Sequence, residues 1–448
     1  MQNLLDLKRR LDTGKLLSRD LVDESIARIE DPAGQGARAF LSLFRERARK
    51  EADLVDDARR HGLSLPDFAG IPIAIKDVFD TRGDVTGAAS RVLENDSPAT
   101  KDADAVIALR RAGFIVIGKN NMTEFAYSGL GLNAHFHAPL NPFERSVGRI
   151  PGGSTSGGAV AVGDGMVPAA LGSDTGGSCR IPAAFCGTVG FKPTARRVSK
   201  RGVIPLSETL DSVGPLASSV SCCAILDSVL AMGEGVDELS YPESGLRLGV
   251  IEGYVDEKLD GTVSATYAAT LTRLSRRGVR LKPVQIPELA ELPSINRNGG
   301  FVGAEAYAWH RSLLETRGEL YDPWVRARFD AGRAQSAADY VDLLHARRRL
   351  ITAVHERSRM FDALVLPTVQ IIAPTIASLS DDPAFSNATN LLCLRNTAIA
   401  NFLDRPAISI PCHAPGSAPV GFMLVGETME DRQLLSIARG LEYAVRLS

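Results

Sequence analysis

The groups in this sequence that could carry out nucleophilic chemistry concentrate in residues 148–190. Two glycine–serine runs stand there. One is Pro151-Gly152-Gly153-Ser154-Thr155-Ser156-Gly157-Gly158, the other Gly172-Ser173-Asp174-Thr175-Gly176-Gly177-Ser178-Cys179-Arg180. A flexible linker is the ordinary meaning of such density. Between the runs, however, residues 159–162 and 166–171 are core sequence, so the glycines mark tight turns and close backbone approach. Acyl transfer needs a nucleophile and backbone N–H groups aimed at a developing oxyanion. In Thr175-Gly176-Gly177-Ser178, two residues without Cβ atoms precede a hydroxyl, and the backbone can turn its N–H groups towards a substrate carbonyl beside Ser178.

A serine hydroxyl also needs a base. None of His61, His135, His137, His310, His345, His355 and His413 stands in a recognisable triad context. Position 180 is arginine, so the Gly-x-Ser-x-Gly elbow is absent around Ser178, and no Ser-x-x-Lys motif occurs. Lys76 is the better candidate. It ends the apolar run Ile71-Pro72-Ile73-Ala74-Ile75, and strand alternation places it on the face of the small residues Pro72 and Ala74. A buried lysine loses hydration as a cation, its pKa falls, and the neutral amine can act as a base. A lysine emerging into water at a strand end is the alternative. Asp174 and Arg180 flank the nucleophile turn. They are expected to pair with each other or with backbone groups; a substrate carboxylate bound by Arg180 is the second reading.

Strand and helix signals alternate around these residues. Apolar strand runs are expected at 71–75, 114–117, 246–251, 363–366, 407–410 and 421–425, with helices over 102–112, 336–359 and 431–445. Residues 3–60 read as charged amphipathic helices, one of them capped by Ser18 or Asp20. Interleaved apolar strands and helices imply α/β layering with helices on both sheet faces. Residues 295–345 break the alternation. They are mainly helical, carry Phe301, Tyr307, Trp309, Tyr321, Trp324 and Phe329, and suit a lid or wall of a pocket.

With these residues placed, a family resemblance emerges. Lys76 after its strand, the Gly-Gly-Ser-x-Ser-Gly run and Asp-Thr-Gly-Gly-Ser resemble the amidase signature family. The similarity continues through Ile181-Pro182-Ala183-Ala184-Phe185-Cys186-Gly187, Gly190-Phe191-Lys192-Pro193-Thr194 and Leu210-Asp211-Ser212-Val213-Gly214-Pro215. A looser match returns at Arg405-Pro406-Ala407-Ile408-Ser409-Ile410-Pro411 and Pro419-Val420-Gly421-Phe422. The dense part covers residues 65–220.

The resemblance implies the α/β amidase signature fold: a large mixed central sheet covered by helices on both faces, with residues 1–448 as one domain. Within it fall an N-terminal helical segment (1–60), the signature core (65–220) and the helical stretch 295–345. It implies Ser178 as nucleophile, Ser154 as a bridging serine reached through a cis peptide bond, and Lys76 as base. The N–H groups of Thr175, Gly176, Gly177 and Ser178 would hold the oxyanion. Ser128 and Gly129, within Tyr127-Ser128-Gly129-Leu130-Gly131-Leu132-Asn133, resemble the loop that lines the substrate side. No metal or organic cofactor is expected.

Composition bounds the function. The net charge of −2 comes without a basic stripe, so nucleic acid is not an expected partner. No run of about 18 apolar residues occurs, so no membrane span is expected. Six cysteines without Cys-x-x-Cys spacing read as reduced thiols, and Met1-Gln2-Asn3-Leu4-Leu5-Asp6-Leu7-Lys8-Arg9-Arg10 lacks a leader's apolar run; the expected location is cytoplasmic. Gly113-Phe114-Ile115-Val116-Ile117-Gly118-Lys119 has P-loop spacing, but position 120 is asparagine and the interior is a strand. His135-x-His137 lacks further ligands and reads as loop. Three functions remain. The first is an amidase cleaving a small or aryl carboxamide, with the homodimer common among similar enzymes as its expected assembly. The second is a glutaminase subunit of a tRNA-dependent amidotransferase, although the glycine- and tyrosine-rich downstream segment of such subunits is not recognisable. The third is a non-catalytic binding protein on the same fold.

Overall fold

The computed structural model describes residues 3–232, 241–380 and 382–446. Its framework is one eleven-stranded mixed sheet. The strands are β1 (Phe40–Leu43), β2 (Pro72–Lys76), β3 (Ile115–Asn120), β4 (Ala169–Asp174), β5 (Val189–Lys192), β6 (Ser212–Ala217), β7 (Arg247–Glu252), β8 (Arg280–Gln285), β9 (Ala363–Pro367), β10 (Ala407–Pro411) and β11 (Gly421–Val425). They lie in the order β1-β3-β2-β4-β6-β5-β10-β11-β9-β7-β8. β3, β2 and β4 run parallel, as do β8, β7 and β9; antiparallel pairs join these two groups through β6, β5, β10 and β11.

Both faces are covered, and the side-chain period shows it. Every residue of β2, β3, β4, β9, β10 and β11 is buried. Ile73 and Ile75 of β2 join one core cluster, while Ala74 between them packs in another with Val22, Ile26 and Ile29 of the helix Ser18–Glu30. In β11, Phe422 and Leu424 point to the first core and Met423 and Val425 to a third. The helix Asp431–Val445 closes the first face with Leu434, Ile437 and Leu441. Continuous apolar strands of this kind need helices on both sides.

Several local expectations change. Neither Ser18 nor Asp20 caps its helix. Ser18 is already its first residue, and Asp56 from the helix Arg45–Arg60 accepts the N–H groups of Ser18 (2.8 Å) and Arg19 (2.9 Å). The opening segment is not wholly helical, because β1 lies antiparallel on β3 between its helices. The guanidinium of Arg197 is buried against Asp227 at 2.9 Å. The segment with P-loop spacing forms β3, and Lys119 at its end donates to the carbonyl of Val85 (2.9 Å).

The aromatic segment forms the helices Gly300–Arg317, Pro323–Gly332 and Ala337–Ser358. Its rings surround Phe125 on the loop after β3. His310, Tyr321 and Phe329 lie with ring centroids 4.4, 5.5 and 6.0 Å from that ring, and Tyr127 meets Phe329 at 5.1 Å. Phe301 packs instead against Phe402 and Tyr340. The segment therefore backs the loop that leads to Ser128.

Candidate active site

Parallel strands bring their carboxyl ends to one edge of a sheet, where α/β proteins place their sites. β2 and β4 are parallel neighbours, with Ala74 opposite Ala170 and Ile75 opposite Leu171. Lys76, the last residue of β2, therefore arrives beside Ser173 and Asp174 at the end of β4. Its side chain is fully buried. Nζ lies 2.7 Å from Ser154 Oγ, 2.8 Å from Ser173 Oγ and 3.4 Å from the Ser173 carbonyl. Burial brings its pKa down to about 8, against the opposing pull of Cys179, Asp174 and Asp211. Of the two readings of Lys76, the buried lysine is the one observed, and the side chain does not emerge into water.

Ser154 follows a cis peptide bond from Gly153. The Gly153 N–H donates to the Gly129 carbonyl (2.8 Å), and the Ser154 carbonyl accepts from Thr123 (3.2 Å). A Cβ on Gly153 would stand 2.6 Å from the Gly131 nitrogen, so the residue has to be glycine for the two loops to meet. The two glycine–serine runs touch directly, the Thr155 N–H donating to the Ser178 carbonyl at 3.2 Å.

Ser178 sits on the turn from β4 into the helix Arg180–Cys186. Asp174 organises that turn. Its carboxylate accepts from the N–H groups of Gly177 (2.8 Å) and Cys179 (3.0 Å), from Arg180 Nε (3.1 Å) and Nη2 (2.9 Å), and from Asn401 Nδ2 (2.9 Å). Burial pushes this carboxyl up, but Arg180 and the hydrogen bonds outweigh it and hold the pKa at about 2. Arg180 places its remaining N–H groups on the Thr397 carbonyl (2.9 Å), Met423 Sδ (3.3 Å) and Asn401 Oδ1 (2.7 Å). All five of its donors are engaged within the protein, so a substrate carboxylate has none to take.

One expectation for the oxyanion donors has to be corrected. The Gly177 N–H is turned inward to Asp174, which leaves Thr175, Gly176 and Ser178 as the candidate donors. Gly177 has φ +137°, and a Cβ there would fall 2.2 Å from Thr397 Oγ1. Its lack of a side chain therefore serves the approach of Thr397, whose hydroxyl donates to the Gly176 carbonyl at 2.6 Å. Thr175 is held from the other side, its hydroxyl donating to Asp211 at 2.5 Å. Burial raises the Asp211 pKa to about 6.

Ser128 and Gly129 lie beside these groups, but their polar atoms serve the loop. The Ser128 hydroxyl (3.0 Å) and the Gly129 N–H (2.8 Å) both donate to Asn390 Oδ1. A Cβ on Gly129 would meet Ile181, Cys393 and Leu394, and one on Gly176 would meet Leu394 Cδ2 at 3.2 Å. The wall between the two loops is thus apolar. Behind it, Arg328 Nη1 donates to the Tyr127 carbonyl at 2.5 Å. Burial pulls the Arg328 pKa down, and among the described residues no carboxylate forms an ion pair with it.

Sequence reasoning singled out Lys76, Ser154 and Ser178 but gave no role to Ser173, Asp211, Arg328, Asn390, Thr397 or Asn401. Ser173 and Asp211 stand inside the signature motifs, where a hydroxyl beside the base was the available signal. Asn390, Thr397 and Asn401 come from downstream helices with no spacing to tie them to the turn. Among the described residues no group of three His, Cys, Asp or Glu side chains could hold a metal ion. His135 instead lies 3.1 Å from Glu124.

A family model described as Amidase matches residues 20–435. A glutamyl-tRNA(Gln) amidotransferase subunit from Synechococcus sp. (strain CC9902) is 34% identical over 98% of this chain and 95% of that protein. A crystal structure of an amidase superposes with a TM-score of 0.90 at 31% identity, over 99% of this chain and 100% of the other. The corresponding glutamyl-tRNA(Gln) amidotransferase subunit from Thermotoga maritima superposes at 0.78 with 30% identity, over 95% and 91%.

Proposed function

The chain belongs to the amidase family, hydrolases of amide C–N bonds, and on that premise we propose that it hydrolyses a primary carboxamide through an acyl-enzyme on Ser178, releasing ammonia. The observation that carries this reading is the 2.7 Å contact between a fully buried Lys76 and Ser154 Oγ. Neutral Lys76 accepts a proton from Ser154 while Ser154 accepts one from Ser178, and Ser178 Oγ attacks the carbonyl carbon. N–H groups at Thr175, Gly176 and Ser178 receive the oxyanion. The proton returns through Ser154 to the leaving nitrogen as the C–N bond breaks. Water then attacks the ester by the same route, freeing the carboxylic acid and restoring Ser178.

For the amide itself, the reading we advance is glutamine, with this chain as the glutaminase component of a larger amidotransferase. The curated relatives favour it over a stand-alone enzyme, because the similarity to a glutamyl-tRNA(Gln) amidotransferase component runs over 98% of the chain. It also shifts the expected partner from a second copy of this chain to other subunits. Arg328, a partly buried guanidinium that forms no ion pair among the described residues, suits an α-carboxylate. The deciding experiment is ammonia release from glutamine by the purified chain, alone and with amidotransferase partner subunits and charged tRNA. Release that depends on the partners supports this reading; vigorous release from simple amides alone overturns it.

Two observations favour a second reading, a stand-alone amidase for a small carboxamide. The full-length superposition on an amidase is closer, and the wall at Leu394 and Ile181 offers no carboxylate to the ammonium of an amino acid. In either case we place the protein in the cytoplasm. Among the described residues no helix is long and apolar enough to cross a membrane, and all six cysteines are unpaired.

A further inference from the structure

Lys76 is surrounded by more than the serine it is proposed to serve. Three oxygens meet its Nζ: Ser154 Oγ at 2.7 Å, Ser173 Oγ at 2.8 Å and the Ser173 carbonyl at 3.4 Å. An ammonium has three N–H donors, and these three oxygens accept them all. A neutral amine has two N–H donors and one lone pair, and only one arrangement lets it act as a base towards Ser154. Both of its N–H groups must then go to Ser173.

The Ser173 carbonyl can only accept, whereas its hydroxyl accepts from the lysine only if its own hydrogen is directed elsewhere. The fold supplies somewhere for it to go. Ser173 pairs across the sheet with Val213, which puts both side chains on one face. Both line a cavity of about 280 Å³ that also presents Asp211, Ser212, Lys200 and Glu208, and that neither Ser154 nor Ser178 lines. A polar space of that size has room for water that can take the hydroxyl hydrogen.

From this geometry we infer that Ser173 is a positioning residue, whose two oxygens orient neutral Lys76 so that its lone pair faces the hydroxyl of Ser154. The inference rests on the triad reading given above. It predicts two effects of losing the hydroxyl. The lone pair is no longer aimed, so proton transfer slows. The ammonium also loses an acceptor that it needs more than the neutral amine does, so the pH midpoint of activation moves down. The other charged or titratable groups facing Lys76 are Asp174 on β4, Cys179 on the nucleophile turn and Asp211 ahead of β6, and all are present in every variant.

The test uses a fluorophosphonate probe that labels an activated serine, so that no substrate need be known. Labelling rates of the intact chain are measured from pH 6 to 10. Ser173→Ala is expected to slow labelling on the order of 10- to 100-fold and to lower the midpoint, and Ser173→Thr, which keeps the hydroxyl, is expected to recover both. Ser173→Val, matched in shape to threonine, is expected to behave like the alanine variant even where alanine folds poorly. Equal rates and midpoints for the threonine and valine variants would overturn the inference. If Lys76→Ala itself labels like the wild type, the triad reading fails; if it is slow while Ser173→Ala matches the wild type, only the role of Ser173 fails.

Discussion

At the scale of single residues, a lysine can serve as base only where water is excluded, and Lys76 has no exposed surface. With its pKa brought down to about 8 by burial, the neutral fraction falls about tenfold for each pH unit below that value. Hydrolysis measured as kcat/KM is therefore expected to climb between pH 6 and 8 and level off above; a flat profile over that range would count against Lys76. Ser178→Ala is expected to remove turnover, and Lys76→Ala to lower it by roughly 10²- to 10⁴-fold. Gly177 supplies a second residue-scale prediction. Its φ of +137° and the 2.2 Å approach of Thr397 Oγ1 leave no room for a methyl group. Gly177→Ala should displace the turn and cost about 10²- to 10³-fold in kcat, with a far-ultraviolet circular dichroism spectrum like that of the wild type. A glycine there was legible in the sequence as a close approach. What approaches was not, since Thr397 lies 221 positions from Gly176.

At the scale of elements, the nucleophile turn is clamped between the end of β4 and the helix Thr397–Phe402. Asn401 donates to both the carbonyl (3.0 Å) and the carboxylate (2.9 Å) of Asp174, and Arg180 closes the ring. Removing one member of a buried ion pair strands the other's charge. Arg180→Met is therefore expected to destabilise by about 3–5 kcal/mol in denaturant titrations and to abolish probe labelling. The double change Arg180→Met with Asp174→Asn should recover part of the stability but not the labelling, because the Asp174 carboxylate also holds the turn. Element by element, the apolar strands β2, β3, β7, β9, β10 and β11 were visible as runs of branched and large side chains. β4, β5 and β6 were not: Ala169-Ala170-Leu171-Gly172-Ser173-Asp174 and the glycines 190 and 214 carry little strand propensity. Those strands are specified by what packs against them. A Cβ on Gly214 would stand 2.1 Å from the Phe191 carbonyl, a fit that only the assembled sheet reveals. β8 escaped for another reason: as an edge strand it is largely exposed, charged and interrupted by Pro283.

At the scale of the whole molecule, burying titratable groups makes stability depend on pH through several carboxyls, amines and thiols at once. Burial raises Glu124 to about 7, although Ser90 and the Asp322 N–H donate to it, and raises Asp211 to about 6. Both carboxyls hold protons in the folded chain at pH values where the unfolded chain has released them, so each lowers stability as pH climbs from its ordinary value to its raised one. Asp174 acts in the opposite sense. Held at about 2, it contributes stability above its ordinary value and loses it as pH falls through the acid range towards 2. Lys76 and Lys192, both brought down to about 8 by burial, recover some stability above that pH. From about pH 9 upward the buried thiols of Cys393 and Cys412, held up at about 12, oppose that recovery. Buried His310, brought down to about 3, opposes these carboxyls by adding stability as pH climbs towards 6.5, so the contribution of Glu124 is read against its own variant rather than from the position of the stability maximum. Glu124→Gln isolates the effect: its amide oxygen can accept from the Asp322 N–H in place of Oε2, its amide nitrogen can donate to the Ser90 hydroxyl in place of Oε1, and it carries no titratable proton. Thermal melts at fixed ionic strength should show this variant gaining melting temperature relative to the wild type as pH rises from 5 to 7. A difference between variant and wild type that stays constant from pH 5 to 7 would mean that the buried Glu124 carboxyl does not shape the stability profile.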